Sequence, residues 1–211
     1  MSITFVIGGA RSGKSTFAEK KAKEYGTCKL AEGSNVKEYG SNVLYIATAV
    51  VTDQAMADRV RKHRNQRPDS WYTLEMYSNF KDLTNHKEFN ECEVVLLDCI
   101  TTLIGNFMYD SGVDFDTCRI EDVGSLEKKI KNELISLIDV CNNNNKKLVL
   151  VSNETGMGVV PSYYMGNYFR DMNGRINREI GSMADFMYFM FSGIPIKLKH
   201  KGGAVEWPKD F

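Results

Sequence analysis

Gly8-Gly9-Ala10-Arg11-Ser12-Gly13-Lys14-Ser15 is the stretch whose residue types and spacing specify chemistry most directly. It fits the phosphate-binding P-loop pattern: glycine, four residues, then Gly-Lys-Ser/Thr. Gly8 and Gly13 permit backbone conformations that a Cβ forbids. Successive N–H groups then converge on one concavity, completed by the positive end of the following helix. Lys14 would reach the β- and γ-phosphates of a nucleoside triphosphate, and the Ser15 hydroxyl would hold Mg2+. Gly9, Ala10, Arg11 and Ser12 complete the cradle, with Arg11 a candidate phosphate contact. A plain glycine turn could show the same letters. Against that, the apolar strand at 3–7 precedes the turn, and Phe17, Ala18, Lys21 and Ala22 follow at helical spacing.

Three further stretches carry candidate groups. Val94-Val95-Leu96-Leu97-Asp98 reads as a buried strand ending in an acid. Alone this is a weak signal, but after a P-loop it is the expected strand whose carboxylate orients the Mg2+ shell. Residues 153–161 form a glycine-rich loop after the apolar run 148–152, on the ligand side of an open α/β sheet. Glu154 in that loop has two readings, a contact to the ligand or Mg2+ shell and a brace for its own loop. Glu75 is divided in the same way between a nucleotide contact and a salt bridge. The third stretch carries His63. Neutral imidazole is nucleophilic near pH 7, with a reference pKa of about 6.5. Lys62, Arg64 and Arg67 stand close in sequence. These cations could bind phosphates and keep the ring deprotonated, while a helix carboxyl end pulls the other way. Met56, Val60 and His63 also share a helical face, and by pattern alone a partly buried core histidine is the better description. His86 and His200 have polar surroundings and read as surface residues.

These groups need a scaffold. Strands are expected at 3–7, 43–49, 71–76, 94–98, 148–152, 186–191 and 194–198. Helices are expected at 14–25, 53–64, 101–110, over a stripe of Leu126, Ile130, Leu134, Leu137 and Ile138, and at 163–184. The last carries Arg170, Asp171, Arg175 and Arg178. Residues 26–42 read as a polar, glycine-rich excursion, 111–124 as a loop, and 142–147 as a solvated helix end. Alternating strands and helices predict a mostly parallel sheet covered on both faces. The expected fold is an α/β P-loop NTPase, RecA-like, with one antiparallel edge strand contributed by a final hairpin. Residues 1–211 are expected to form one domain.

Composition narrows the class. Hydrophobic residues make up 43%, enough for a substantial core. Lys+Arg and Asp+Glu are 27 each, so no global field favours nucleic acid or an acidic membrane. Five cysteines without a C-x-x-C argue for free thiols in a reducing compartment. The chain enters a strand almost at once, so no signal peptide is expected, and no apolar run approaches the ~18 residues of a membrane span. The expected location is the cytoplasm.

Taken in order, the landmarks resemble the bifunctional adenosylcobinamide kinase/adenosylcobinamide-phosphate guanylyltransferase family of cobalamin synthesis. The match rests on 8–15; on Tyr-Ile-Ala-Thr-Ala at 45–49; on Arg59 through Trp71 with His63, Arg67 and Pro68; on Asp-Cys-Ile-Thr-Thr at 98–102; and on 153–161 with Phe169-Arg170-Asp171 beyond. It spans about residues 3–199. Residues 27–40 look longer than the family's usual link, and Lys62 stands where some members have a second histidine.

The resemblance implies phosphorylation of adenosylcobinamide by ATP or GTP. Transfer of GMP from GTP would follow, through a GMP–histidine intermediate at His63. It also implies nucleotide contacts from Ala47, Thr48, Ala49, Arg64, Arg67, Pro68, Glu75, Asp98 and Glu154, with Ser15 and Asp98 at Mg2+, and a homotrimer. Guanine preference comes from the resemblance, since no Asn-Lys-x-Asp is present. Two other readings stay open: a small-molecule P-loop kinase without the histidine step, and a RecA-like ATPase module. The balanced charge weakens the second.

Overall fold

The computed structural model describes residues 2–26, 42–50, 67–201 and 203–204. The expected excursion at 26–42 and helix at 53–64, with His63 and Arg64, lie outside these residues apart from Gly26 and Asn42. The described strands are β1 (Ile3–Gly8), β2 (Val43–Ala47), β3 (Tyr72–Glu75), β4 (Val94–Asp98), β5 (Lys147–Asn153), β6 (Phe186–Phe191), β7 (Ile194–His200) and β8 (Gly203–Ala204). They form one sheet in the order β3-β2-β4-β5-β1-β6-β7-β8. The first six are mutually parallel, and β7 and β8 add antiparallel pairings at one edge. The expected architecture is therefore observed, with β7 as the antiparallel strand and the two-residue β8 extending the edge beyond it.

The central strands are apolar throughout because both faces are covered. Alternate residues part company, as strand geometry requires. Val6, Tyr45, Leu96, Val149 and Val151 face one core with Ala18 and Ala22 of α1 (Lys14–Gly26). Two alanines on that helix let its backbone come close to the sheet. Phe5, Ile7, Leu44, Ile46, Leu97 and Leu150 face the other core. That side is covered by α3 (Ile100–Asp110), α4 (Ile120–Asn143) and α5 (Tyr164–Met183). Val123, Leu126, Ile130, Leu134, Leu137 and Cys141 make the buried stripe of α4. Phe5 is fully buried, and deleting such a ring costs about 3–5 kcal/mol.

Two boundaries differ from expectation. The loop read over 111–124 ends at Arg119, and Gly124 lies inside α4. The Asp122 carboxylate accepts the Arg119 backbone N–H at 3.1 Å, satisfying an orphan donor at the helix start. Residues left unassigned between the third and fourth strands form a 3-10 helix (Phe80–Asn85) and the short α2 (Lys87–Glu91). Both elements are organised by Phe80, Leu83 and Phe89, which are fully buried.

Candidate active site

The register places the carboxyl ends of the parallel strands along one edge. Gly8 is level with Asn153 and Met190, and Ala47 is level with Asp98 and Glu75. The P-loop, Asp98, residues 47–50, Glu75 and the loop after β5 thus share the side where open α/β sheets bind ligands.

The P-loop owes its shape to close approaches. A Cβ on Gly8 would come within 2.5 Å of the Met190 carbonyl oxygen. Gly13 has φ +89°, and Arg11 also takes the left-handed conformation, at φ +56°. The β6–β7 turn buttresses the loop, its Gly193 N–H donating to the Ser12 carbonyl at 3.1 Å. Glu154 N–H donates to the Gly8 carbonyl at 2.9 Å, which holds the loop after β5 beside the phosphate loop. Arg11 is exposed, Ser15 is half-buried, and Ser12 Oγ is buried with no hydrogen-bond partner among the described residues.

Lys14 is nearly buried, and its Nζ donates to the Gly9 carbonyl at 2.5 Å. Burial pushes its pKa down, and the negative field of Asp98 partly offsets this.

Asp98 ends β4, and its Oδ2 accepts the Tyr45 hydroxyl at 2.9 Å. A cis peptide joins it to Cys99. Thr48 is almost wholly buried, and its Oγ1 donates to the Cys99 carbonyl and accepts the Cys99 N–H, both at 2.8 Å. Its carbonyl accepts from Asn106 Nδ2 at 2.7 Å. The Thr48 side chain is committed to bracing the end of β4. Ala47, Ala49 and Glu75 line a cleft of about 590 Å³ with Val50, Tyr77 and His86. His86, expected at the surface, is half-buried in that cleft wall. Pro68 is exposed, and Arg67 is half-buried beside β2 and β3.

The loop after β5 is held from below. Thr101 Oγ1 accepts the Asn153 N–H at 2.7 Å, and Asn173 and Asn177 of α5 both donate to the Asn153 carbonyl. Glu154 Oε1 accepts the Gly156 N–H at 2.6 Å, within its own loop. Arg170 pairs with Asp171 at 3.4 Å and Arg175 with Glu127 at 2.7 Å. Cys92, Cys99, Cys118 and Cys141 are free thiols.

Glu19 of α1 was not legible in the sequence, having an ordinary place on a helix. Burial raises its pKa to about 7, with Arg67 opposing and Asp98 assisting. The sign of the stability effect follows. A carboxyl whose folded pKa of about 7 exceeds its ordinary 4.5 stabilises the folded state fully below 4.5, and this is lost as pH rises through 7. In the nucleotide-free protein, Glu19→Gln should raise Tm at pH 8 by roughly 2–4 °C, what ~1 kcal/mol gives in a domain this size. The gain should vanish toward pH 5. Thermal melts at the two pH values check it, and an equal change at both would contradict the assignment.

The chain matches the family described as cobinamide kinase / cobinamide phosphate guanyltransferase over residues 4–198. It is 39% identical over 194 residues to the bifunctional adenosylcobalamin biosynthesis protein CobU of Escherichia coli (strain K12), covering 92% of this chain and 98% of that protein. The Salmonella typhimurium protein of the same name is 35% identical with the same coverage. The bifunctional adenosylcobalamin biosynthesis protein CobP of Pseudomonas aeruginosa is 31% identical over 92% of this chain and 95% of its own length. Among the described residues, no helix is long and apolar enough to cross a membrane.

Proposed function

This chain belongs to the cobinamide kinase / cobinamide phosphate guanyltransferase family, and from that premise we propose how its residues divide the work. It is a kinase and a nucleotidyltransferase of cobalamin biosynthesis, taking nucleoside triphosphates and cobinamide as substrates. The observation that supports the kinase assignment is the convergence of the Gly8–Ser15 loop, Lys14 and Asp98 at one edge of the sheet.

In phosphoryl transfer the loop N–H groups and Lys14 hold the β- and γ-phosphates while the aminopropanol hydroxyl of adenosylcobinamide attacks the γ-phosphorus. The bond from that phosphorus to the β-phosphate oxygen breaks, the nucleoside diphosphate leaves, and the hydroxyl proton is lost to solvent. Lys14 exchanges its Gly9 carbonyl partner for phosphate oxygens, a stronger, charge-assisted bond. Ser15 and Asp98 offer a hydroxyl and a carboxylate, an all-oxygen donor set that suits Mg2+. Mg2+ bound there would neutralise charge on the bridging oxygens. Arg11, Arg67 and Arg64 supply further cations toward phosphate, and Ala47, Ala49, Glu75 and Glu154 border the nucleotide.

In guanylyl transfer the His63 imidazole attacks the α-phosphorus of GTP. A P–N bond forms, the bond to the β-phosphate oxygen breaks, and pyrophosphate leaves. The phosphate of adenosylcobinamide phosphate then attacks the same phosphorus and displaces the imidazole, giving adenosylcobinamide-GDP. The proposed working assembly is a homotrimer, for which the mass of three chains is expected in solution and monomer alone would contradict it. Light scattering reads that state.

The experiment is product analysis with adenosylcobinamide and Mg2+. ATP or GTP should give the phosphate ester, and GTP should carry it on to the GDP ester with release of pyrophosphate. Phosphate ester accumulating unchanged in excess GTP would favour the plain kinase.

A further inference from the structure

Three side chains outside the phosphate loop form a continuous path across the ligand edge. The Arg67 guanidinium lies over the Tyr45 ring, 3.3 Å from its centroid. The Tyr45 hydroxyl donates to Asp98 Oδ2 at 2.9 Å. Arg67 Nη1 also donates to Thr73 Oγ1 at 3.4 Å, and Thr73 on β3 is the register partner of Tyr45 on β2. Tyr45 pairs on its other side with Leu96, two residues before Asp98 on β4. Its ring therefore fills the core under α1, while its hydroxyl reaches forward to the carboxylate.

Packing alone does not call for this arrangement. Tyr45 is 3% exposed, among Val6, Ala18, Ala22 and Leu96, where a phenylalanine would fill the same space. A buried phenol needs a hydrogen-bond partner, and this one has the carboxylate expected to organise the cation. The hydroxyl bond ties to β2 the carboxylate that would hold the metal. A guanidinium carbon 3.3 Å from the ring centroid is within cation–π range, so the ring face limits where Arg67 can sit. Arg67 Nε is buried with no hydrogen-bond partner among the described residues, and the group is held among them by the Tyr45 ring, the Thr73 contact and the field of Glu19.

We propose that Tyr45 is a positioning residue that aims the Asp98 carboxylate and seats Arg67. The metal-organising group and a phosphate-binding cation are thereby held in one fixed relation. The inference rests on the reading of Asp98 as the Mg2+ carboxylate given above. Arg67 stands four residues after His63 in the sequence, so the same seat anchors the chain just beyond the guanylylated residue.

The test compares Tyr45→Phe, Tyr45→Leu and Asp98→Asn with the wild-type enzyme. Mn2+ binding is followed by electron paramagnetic resonance with a non-hydrolysable GTP analogue, and phosphoryl transfer is measured against Mg2+ and triphosphate. Tyr45→Phe keeps ring and stack but removes the hydroxyl. It should weaken Mn2+ binding about tenfold, the worth of one hydrogen bond to a charged group. It should lower kcat similarly, with the triphosphate KM changed less than about twofold. Tyr45→Leu should in addition lose the seat of Arg67 and cut GMP incorporation about tenfold below Tyr45→Phe.

A merely structural tyrosine would lower Tm and leave Mn2+ affinity alone. Wild-type Mn2+ affinity and Mg2+ dependence in Tyr45→Phe, with both weakened in Asp98→Asn, overturn the inference alone. If Asp98→Asn also leaves them unchanged, the metal assignment of Asp98 fails and carries the inference with it. Tyr45→Phe decides the case even if Tyr45→Leu does not fold.

Discussion

Lys14→Ala should lower triphosphate-dependent phosphorylation of cobinamide by roughly 10²–10³-fold, the usual effect of removing one preorganised group from developing charge. The side chain is nearly buried beside the Gly9 carbonyl and within the field of Asp98. Its charge is held where water screens poorly, so its attraction for a transferring phosphoryl group is strong. The effect should fall mainly on kcat, because the backbone N–H cradle still binds the triphosphate. The substitution also removes the internal bond to Gly9, so the variant is melted alongside the wild type to show that the loop's host is folded. Steady-state kinetics provide the readout. A folded Lys14→Ala protein with near-normal phosphorylation would contradict the P-loop assignment.

His63→Ala should separate the two activities. Phosphoryl transfer needs the loop, the cation and a positioned acceptor, but no protein nucleophile. Guanylyl transfer by way of a GMP–histidine needs the imidazole itself. The variant should keep phosphorylation within about threefold of wild type and lose formation of adenosylcobinamide-GDP by roughly 10⁴-fold or more. His63→Asn keeps more of the bulk and hydrogen-bonding capacity. Equal loss in both variants ties the effect to chemistry instead of packing. Chromatographic separation of the phosphate and GDP products measures both steps in one reaction.

Much of the scaffold was legible because it rests on local rules. The run of β-branched and apolar residues in β1, β2, β4 and β5 follows from burial on both faces. The spacing of Leu126, Ile130, Leu134 and Leu137 follows from one face of a helix. The P-loop was legible because its phosphate geometry demands glycine at fixed intervals. Gly8 adds a reason that only the fold reveals, since the obstruction is the Met190 carbonyl 182 residues away in sequence.

What the sequence hid depends on which strands become neighbours. Tyr45 looks like one more aromatic in a strand until β4 lies beside β2 and brings Asp98 to its hydroxyl. Glu19 looks like a solvated helix residue until Arg67 and Asp98 are placed near it. Thr48 read as a nucleotide contact, and only the fold reveals that its side chain also braces Cys99. The short helices at 80–91 were missed because six- and five-residue elements are too brief for periodicity to register.

A chain that is both a phosphate-loop kinase and a histidine guanylyl carrier must hold GMP covalently during its second reaction. The most direct measurement is incubation of the purified protein with Mg2+ and GTP labelled at the α-phosphate, in parallel with GTP labelled at the γ-phosphate, followed by denaturing electrophoresis. The α-label should remain on the wild-type chain, be released by acid as expected for a P–N bond, and be absent from His63→Ala, while the γ-label should give no band. Retention of the α-label by folded His63→Ala would place the nucleophile elsewhere, and absence of the label from the wild type would contradict the covalent route altogether.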